Sequence, residues 1–245
     1  ALEESELLDR TLILFLADNG ACAEELIAEA AWVRSITPER TRTGRPVHPG
    51  NDPAVMPGPE TTYQSYGLPW ANASNTPFRE YKHWVHEGGI ATPLIAHWPR
   101  GIRARGEWTP QVGHLVDIMA TCVDVSGARY PQEVRGQRIT PMEGASLVPA
   151  FSGDAPTERP VFFAHEGNRA VRLGRWKLVS RAEEDPFAWW GRNDLGPGNW
   201  ELYDMEADRT ETRDLASERP DLVPSLAALW QQWARRAHVL PHPER

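Results

Sequence analysis

Leu12 to Leu16 form an unbroken apolar run that stops at Asp18-Asn19-Gly20. A short run of this kind, bounded by polar residues and a glycine, predicts a strand covered on both faces, as in a parallel sheet clad by helices. IATPLIAHWP (90–99) predicts a second such strand, with Pro93 near its start and Pro99 at its end, where a strand tolerates proline. Residues 22–35 are rich in Ala and Glu, and Leu26, Ala30 and Val33 make a modest stripe that predicts a helix. In 112–127, Val112, Leu115, Val116, Met119, Ala120 and Val123 recur at helical spacing and Gly127 ends the pattern. Strands alternating with helices predict a mostly parallel α/β layer, the edge of a larger sheet.

The period changes after Gly136. Val171 and Leu173 alternate with Arg172 and Gly174, and Trp176, Leu178 and Ser180 alternate with Lys177 and Val179. Period two with a turn at Gly174-Arg175 predicts antiparallel strands with one covered face, joined by further short strands in 160–167 and 199–207. A last helix is expected over 220–239, with Leu222, Leu226, Leu229, Trp233 and Ala237 on one stripe and Pro224 confined to its first turn. The fold class read from these patterns is α/β: the edge of a mostly parallel sheet in residues 1–136, then a small antiparallel sheet packed on a C-terminal helix in an α+β subdomain, 137–245.

Between the first two α/β units, residues 37–77 are dense in Pro, Gly, Thr, Asn and aromatic residues and read as a long ordered loop. Tyr63, Tyr66 and Trp70, with Trp84 beyond, either line a pocket or pin the loop to the body. The charge balance, 26 Lys and Arg against 34 Asp and Glu, argues against nucleic acid as a partner but leaves room for a small anion held by a few local cations. Cys22 and Cys122 form no CxxC pair, which argues against a thiolate zinc site and excludes a disulfide framework; a single bridge between them stays open. No stretch has 18 consecutive apolar residues, so no transmembrane helix is expected. The acidic start, ALEESELLDR, lacks the basic region of a signal peptide, and location stays open between cytoplasm and periplasm.

Three clusters carry candidate chemistry. Asp18 and Asn19 place two hard oxygen ligands at a strand end, suited to calcium or magnesium rather than zinc. Asp52, Glu87, Asp117 and Asp124 are further oxygen donors by type, the last two read as solubilising charge on the outer face of their helix. Lys82, His83, His86 and Glu87 crowd before Gly88-Gly89, where either an ammonium and exposed backbone N–H groups form an oxyanion site or, as composition alone favours, Lys82 lies on the surface and the histidines bond to neighbours; zinc on His83 and His86 lacks a third ligand. His165, Glu166, Asn168 and Arg169 form a polar knot between two strands, in which Arg169 could pair with Glu166. GxSxG, HExxH and a Gly-rich phosphate loop are absent from the sequence.

Taken in order, FLADNG, SNTPFREYKHWVHEGGIATPLIAHWPRGI, GHLVDIMATCVDVSGARYP, ITPMEGASLVPAF, AHEGNRAVRLGRWKLV and ELYDMEADRTETRDLA resemble type I sulfatases of the arylsulfatase branch, within the alkaline-phosphatase-like superfamily. The resemblance covers the chain from about Asp9 to Leu240. It implies that Asp18 and Asn19 ligate calcium, sometimes magnesium, and that Lys82 contacts the sulfate ester. No role for His83, His86 or His165 is implied. The family's nucleophile, a formylglycine made from cysteine in a CxPSR-type motif, has no counterpart here: Cys22 is followed by AEEL and Cys122 by VDVS. The resemblance therefore implies the carboxyl-terminal part of a sulfatase acting on small sulfate esters, completed by an N-terminal segment or companion chain and inactive alone. A related phosphate or phosphonate ester hydrolase, or a non-catalytic binding module, is the rival reading.

Overall fold

In the computed structural model, residues 1–65, 67–154, 158–181 and 199–240 are described; Tyr66 lies outside them. In chain order the elements are β1 (Ile13–Leu16), α1 (Ala31–Ile36), β2 (His48–Pro49), β3 (Thr62–Tyr63), α2 (Gly67–Asn75), α3 (Glu87–Ile90), β4 (Leu94–His97) and α4 (Val116–Ser126). They continue as β5 (Glu133–Val134), β6 (Gln137–Arg138), α5 (Val148–Ser152), β7 (Val161–His165), β8 (Asn168–Leu173), β9 (Trp176–Ser180), β10 (Trp200–Asp204) and α6 (Leu222–Arg236). Two compact units result: Ala1–Asp18 with Pro93–Val161, and Asn19–Thr92 with Phe162–Arg245. Among the described residues, no helix is long and apolar enough to cross a membrane.

In the first unit β1 pairs with β4, and the pairing is antiparallel, with Phe15 opposite Ile95 and Leu16 opposite Leu94. The sequence predicted parallel neighbours; an apolar run encodes a demand for cover, not a direction. Among the described residues that cover is not supplied, since Phe15 is 70% and Ile95 59% exposed. Helix α4 forms as predicted and ends where Gly127 turns left-handed at φ +65°. Its faces follow the expectation only in part: Ala120 is buried and Asp124 exposed as expected, but the rest differ. Leu115, Val116 and Met119 are exposed, whereas Asp117, Ala120 and Thr121 are buried. Asp117 is no solubilising charge: its carboxylate accepts from the His114 and Ala145 N–H groups at 2.8 and 2.9 Å and pairs with Arg159. The close approach also needs Gly144, whose absent Cβ would lie 2.1 Å from the Val116 carbonyl oxygen.

The second unit holds a four-stranded antiparallel sheet in the order β10-β9-β8-β7. The β8–β9 hairpin turns at Gly174-Arg175, with Leu173 opposite Trp176 and Gly174 at φ +56°, the first loop position where such a turn favours glycine. One face, Val171, Leu178 and Leu202, packs on Leu226, Trp230 and Ala234 of α6. Leu222, Leu229 and Trp233 flank that contact, and Pro224 lies in the first turn of α6 as expected. The prediction of one covered face is incomplete. Ala170, Val179 and Tyr203 on the opposite face pack with Val85 and Met205, so the sheet is covered twice. Lys177 shares that second face, fully buried, with its ammonium 2.9 Å from Glu87 and 2.7 Å from Glu211.

The helix expected over 22–35 is reduced to the six residues of α1, because only Leu26 and Val33 of its sparse stripe find cover, and short helices depend on packing. The 37–77 segment ends in α2 rather than running as loop throughout. Of its aromatic residues Trp70 is exposed, while Trp84 beyond it is buried beneath the Arg181 guanidinium, 4.3 Å from the ring centre. Both cysteines are free thiols.

Candidate functional site

The DNG loop and the EGG turn meet through their backbones. Gly20 N–H donates to the Gly89 carbonyl at 2.9 Å, and a Cβ on Gly20 would lie 1.8 Å from the Gly88 oxygen. Added Cβ atoms at Gly88 and Gly89 would fall 2.1 Å from the Glu80 oxygen and 2.0 Å from the Trp84 oxygen. These glycines are thus required by contact between two chain segments. The expected oxyanion donors are not available there, since the Gly88 and Gly89 N–H groups donate to Arg79 and His86 carbonyls at 3.0 and 2.9 Å.

Further bonds stitch Lys82 to the DNG loop. Lys82 N–H donates to the Ala21 carbonyl at 3.0 Å, and the Asn75 carboxamide accepts from Ala21 N–H while donating to the Glu80 carbonyl, both at 3.0 Å. Asn19 donates from Nδ2 to the Gly20 carbonyl at 2.8 Å, which directs its amide oxygen away from that bond. Asp18, exposed, is the last residue of the first unit, and Asn19 opens the second.

The Lys82 side chain is 39% exposed, and its ammonium lies 3.3 and 3.5 Å from the two Glu24 oxygens. Burial would draw its pKa down, but Glu24, Cys22 and then Glu166 outweigh that and hold it above the ordinary lysine value. The Cys22 thiol, which donates to Glu24 at 2.9 Å, is pushed up by burial and by that bond. Sequence reasoning missed Glu24 as the partner of Lys82; nothing in the local spacing links residues so far apart.

The three histidines part company. His86 is buried and donates from Nε2 to Glu201 on β10 at 2.9 Å, so it braces the sheet's second face and does not share a site with His83. Burial alone would raise the Glu201 carboxyl, but hydrogen bonds from His86 and Tyr203 and the charge of Arg79 hold it down at about 2. His83 instead meets Glu166 through Nδ1, and His165 Nδ1 is 3.1 Å from the His83 carbonyl oxygen. Asn168 also donates to that carbonyl at 3.3 Å. The polar knot of 165–168 therefore closes onto the residue after Lys82. Arg169 turns to the helix side of the sheet, where its guanidinium lies 4.8 Å from the Trp200 ring centre. Glu87, a suggested oxygen donor, is committed to Lys177, whose charge outweighs burial and holds the carboxyl below its usual range.

Comparison with known proteins gives the family and the fold. Residues 1–128 match the sulfatase family, and residues 79–235 match the family described as N-sulphoglucosamine sulphohydrolase, C-terminal. The chain belongs to the sulfatase family. It is 27% identical over 241 residues to an uncharacterized sulfatase of Schizosaccharomyces pombe, covering 97% of this chain and 40% of that protein. It is 35% identical over 111 residues to N-acetylgalactosamine-6-sulfatase of Canis lupus familiaris, covering 44% of this chain and 20% of that protein. Among solved structures, Ps i-CgsB superposes with a TM-score of 0.59 at 18% identity, over 95% of this chain and 38% of that one. A protein solved with its substrate D-glucosamine-2-N,6-O-disulfate superposes with a TM-score of 0.56 at 16% identity, over 98% and 37%. The fold is that of these structures, and the chain spans well under half the length of each relative.

Proposed function

We propose that this chain contributes the anion-gripping part of a site that hydrolyses sulfate monoesters. The observation that carries the reading is the Lys82 ammonium, part-buried, raised in pKa, and stitched to the DNG loop through its own backbone. Its partner Glu24 is half exposed, so an incoming sulfate group can take the carboxylate's place on the ammonium. Lys82 then stabilises charge on or near the departing oxygen. Asp18 and Asn19 offer a carboxylate and a carboxamide, a donor set that fits a calcium-class cation, with magnesium the alternative. When bound, such a cation neutralises charge on the ester oxygens.

The nucleophile, a formylglycine in the arylsulfatase reading, would come from polypeptide outside this chain, as would the remaining cation ligands. The uncovered β1–β4 ribbon and the outward stripe of α4 support such a partner, an N-terminal sulfatase segment or companion chain that covers them. An aryl sulfate is the substrate class we favour; the relative named N-acetylgalactosamine-6-sulfatase supports a sugar sulfate as the second reading. The test pairs two measurements on this chain. Supplied with calcium and an aryl sulfate it should show no sustained turnover, and turnover would overturn the need for an outside nucleophile. Inorganic sulfate should shift the amide NMR signals around Lys82 and Glu24, with affinity about tenfold weaker in Lys82→Ala. Equal binding by that variant would end the anion-gripping role.

A further inference from the structure

We propose that His83, His165 and Glu166 form a binding site for a zinc-class dication, chemically distinct from the Asp18–Asn19 pair. One ligand atom from each of the three lies within 4.8 Å of the others. Two imidazoles and a carboxylate are the three-ligand set of open zinc sites, which keep a fourth position for water or a substrate oxygen. Nitrogen donors of this kind select late first-row metals over calcium and magnesium.

Glu166 at φ +50° and Gly167 at φ +82° form the two-residue turn between β7 and β8, where left-handed backbone is usual, but His83 takes φ +100°, which non-glycine residues rarely adopt. Such strain persists where the surroundings over-determine it, and it collects at ligand clamps. Here the His83 carbonyl is gripped from two sides, by His165 at 3.1 Å and by the buried Asn168 at 3.3 Å. The contact between His83 Nδ1 and Glu166 marks where a metal would replace a proton. His165 is half exposed and its Nδ1 is 3.5 Å from Glu166, so ligation through that atom would exchange its bond to the His83 carbonyl for one to the ion.

Electrostatics favour a cation there despite Lys82. Glu166 acts on the Lys82 ammonium and His83 acts on Glu24, so the two pairs are electrical neighbours. Two carboxylates, Glu24 and Glu166, face one ammonium, so with the His83 imidazole neutral, as a metal ligand must be, the balance is negative before any ion enters. An ion in this place would tie the 165–168 turn to the residue following Lys82.

The experiment is zinc titration of the whole chain by calorimetry, with cobalt(II) as a spectroscopic stand-in whose visible absorption reports tetrahedral coordination. One equivalent is expected to bind, unchanged by excess calcium and by Asp18→Ala. His165→Ala and Glu166→Gln should each weaken binding about tenfold or more. His165 lies at the surface, so its variant should melt like the parent, and Glu166→Gln preserves shape if it does not. Absence of stoichiometric binding to the parent chain would overturn the proposal, as would unchanged affinity in both variants. Neither result touches the sulfate reading, whose own test is anion binding at Lys82.

Discussion

The four-stranded sheet and the β1–β4 ribbon are both antiparallel and both rich in large apolar residues, yet one is covered on both faces and the other leaves its bulkiest side chains in solvent. The difference lies in what the chain provides for each. Helix α6 lays Leu226, Trp230 and Ala234 along one face of the sheet, and the segment around Val85 covers the other. An isolated two-stranded ribbon is marginal in water, and an apolar one with open edges invites another chain. A strand's hydrophobicity states a need for cover; whether the same polypeptide meets it is a separate fact.

If the sheet is a closed core, its buried charges should be its most sensitive point. Lys177→Met removes the ammonium that Glu87 and Glu211 share and leaves two carboxylates buried on one face. Breaking a buried ion cluster in this way costs about 3–5 kcal/mol. Denaturant unfolding, with hydrogen exchange followed in β8–β10, should show that loss; a change below about 1 kcal/mol would mean the second face is open to water. Acid probes the same face more gently. Glu201 falls from 4.5 to about 2 on folding, so its contribution is present above pH 4.5 and is lost as pH drops from there toward 2. The shift corresponds to at most about 3 kcal/mol. Glu201→Gln should flatten the acid limb of a stability-versus-pH curve, and an unchanged limb would remove Glu201 from the account.

The legible parts of this molecule are those governed by local rules. Gly174 in its two-residue turn, Gly127 at the end of α4, Pro224 in the first turn of α6 and the period-two strands of the sheet can all be read from neighbours in sequence. Lys177 was legible in part: Val179 on the same side of the strand signalled that the polar-looking face is also covered. What escaped depends on distant partners. Asp117 reads as surface charge until Arg159 and Ala145 are seen around it. His83 and His86 sit three apart and look like one pair, but left-handed backbone at His83 sends them to Glu166 and Glu201. At the candidate site the DNG and EGG motifs were readable, but the glycines' task was not: they allow two backbones to touch rather than offering N–H groups to an anion.

The contrast between ribbon and sheet is tested most sharply at Phe15, where little stability is at stake. Phe15 is 70% exposed opposite Ile95, itself 59% exposed. Replacing it with serine removes little buried area from this chain, and a surface substitution of this sort changes stability by no more than about 0.5 kcal/mol. Serine at that place should also reduce self-association, since the apolar patch is what a second chain would seek. Hydrogen exchange in β1 and β4, together with sedimentation, reads both consequences. A loss of about 2 kcal/mol would show that Phe15 is covered in solution by this chain, because full burial of a phenylalanine contributes on that scale. A variant that folds alike but fails to bind a covering partner would place Phe15 in the interface. The ribbon would then be the half of a core whose other half lies on another polypeptide segment.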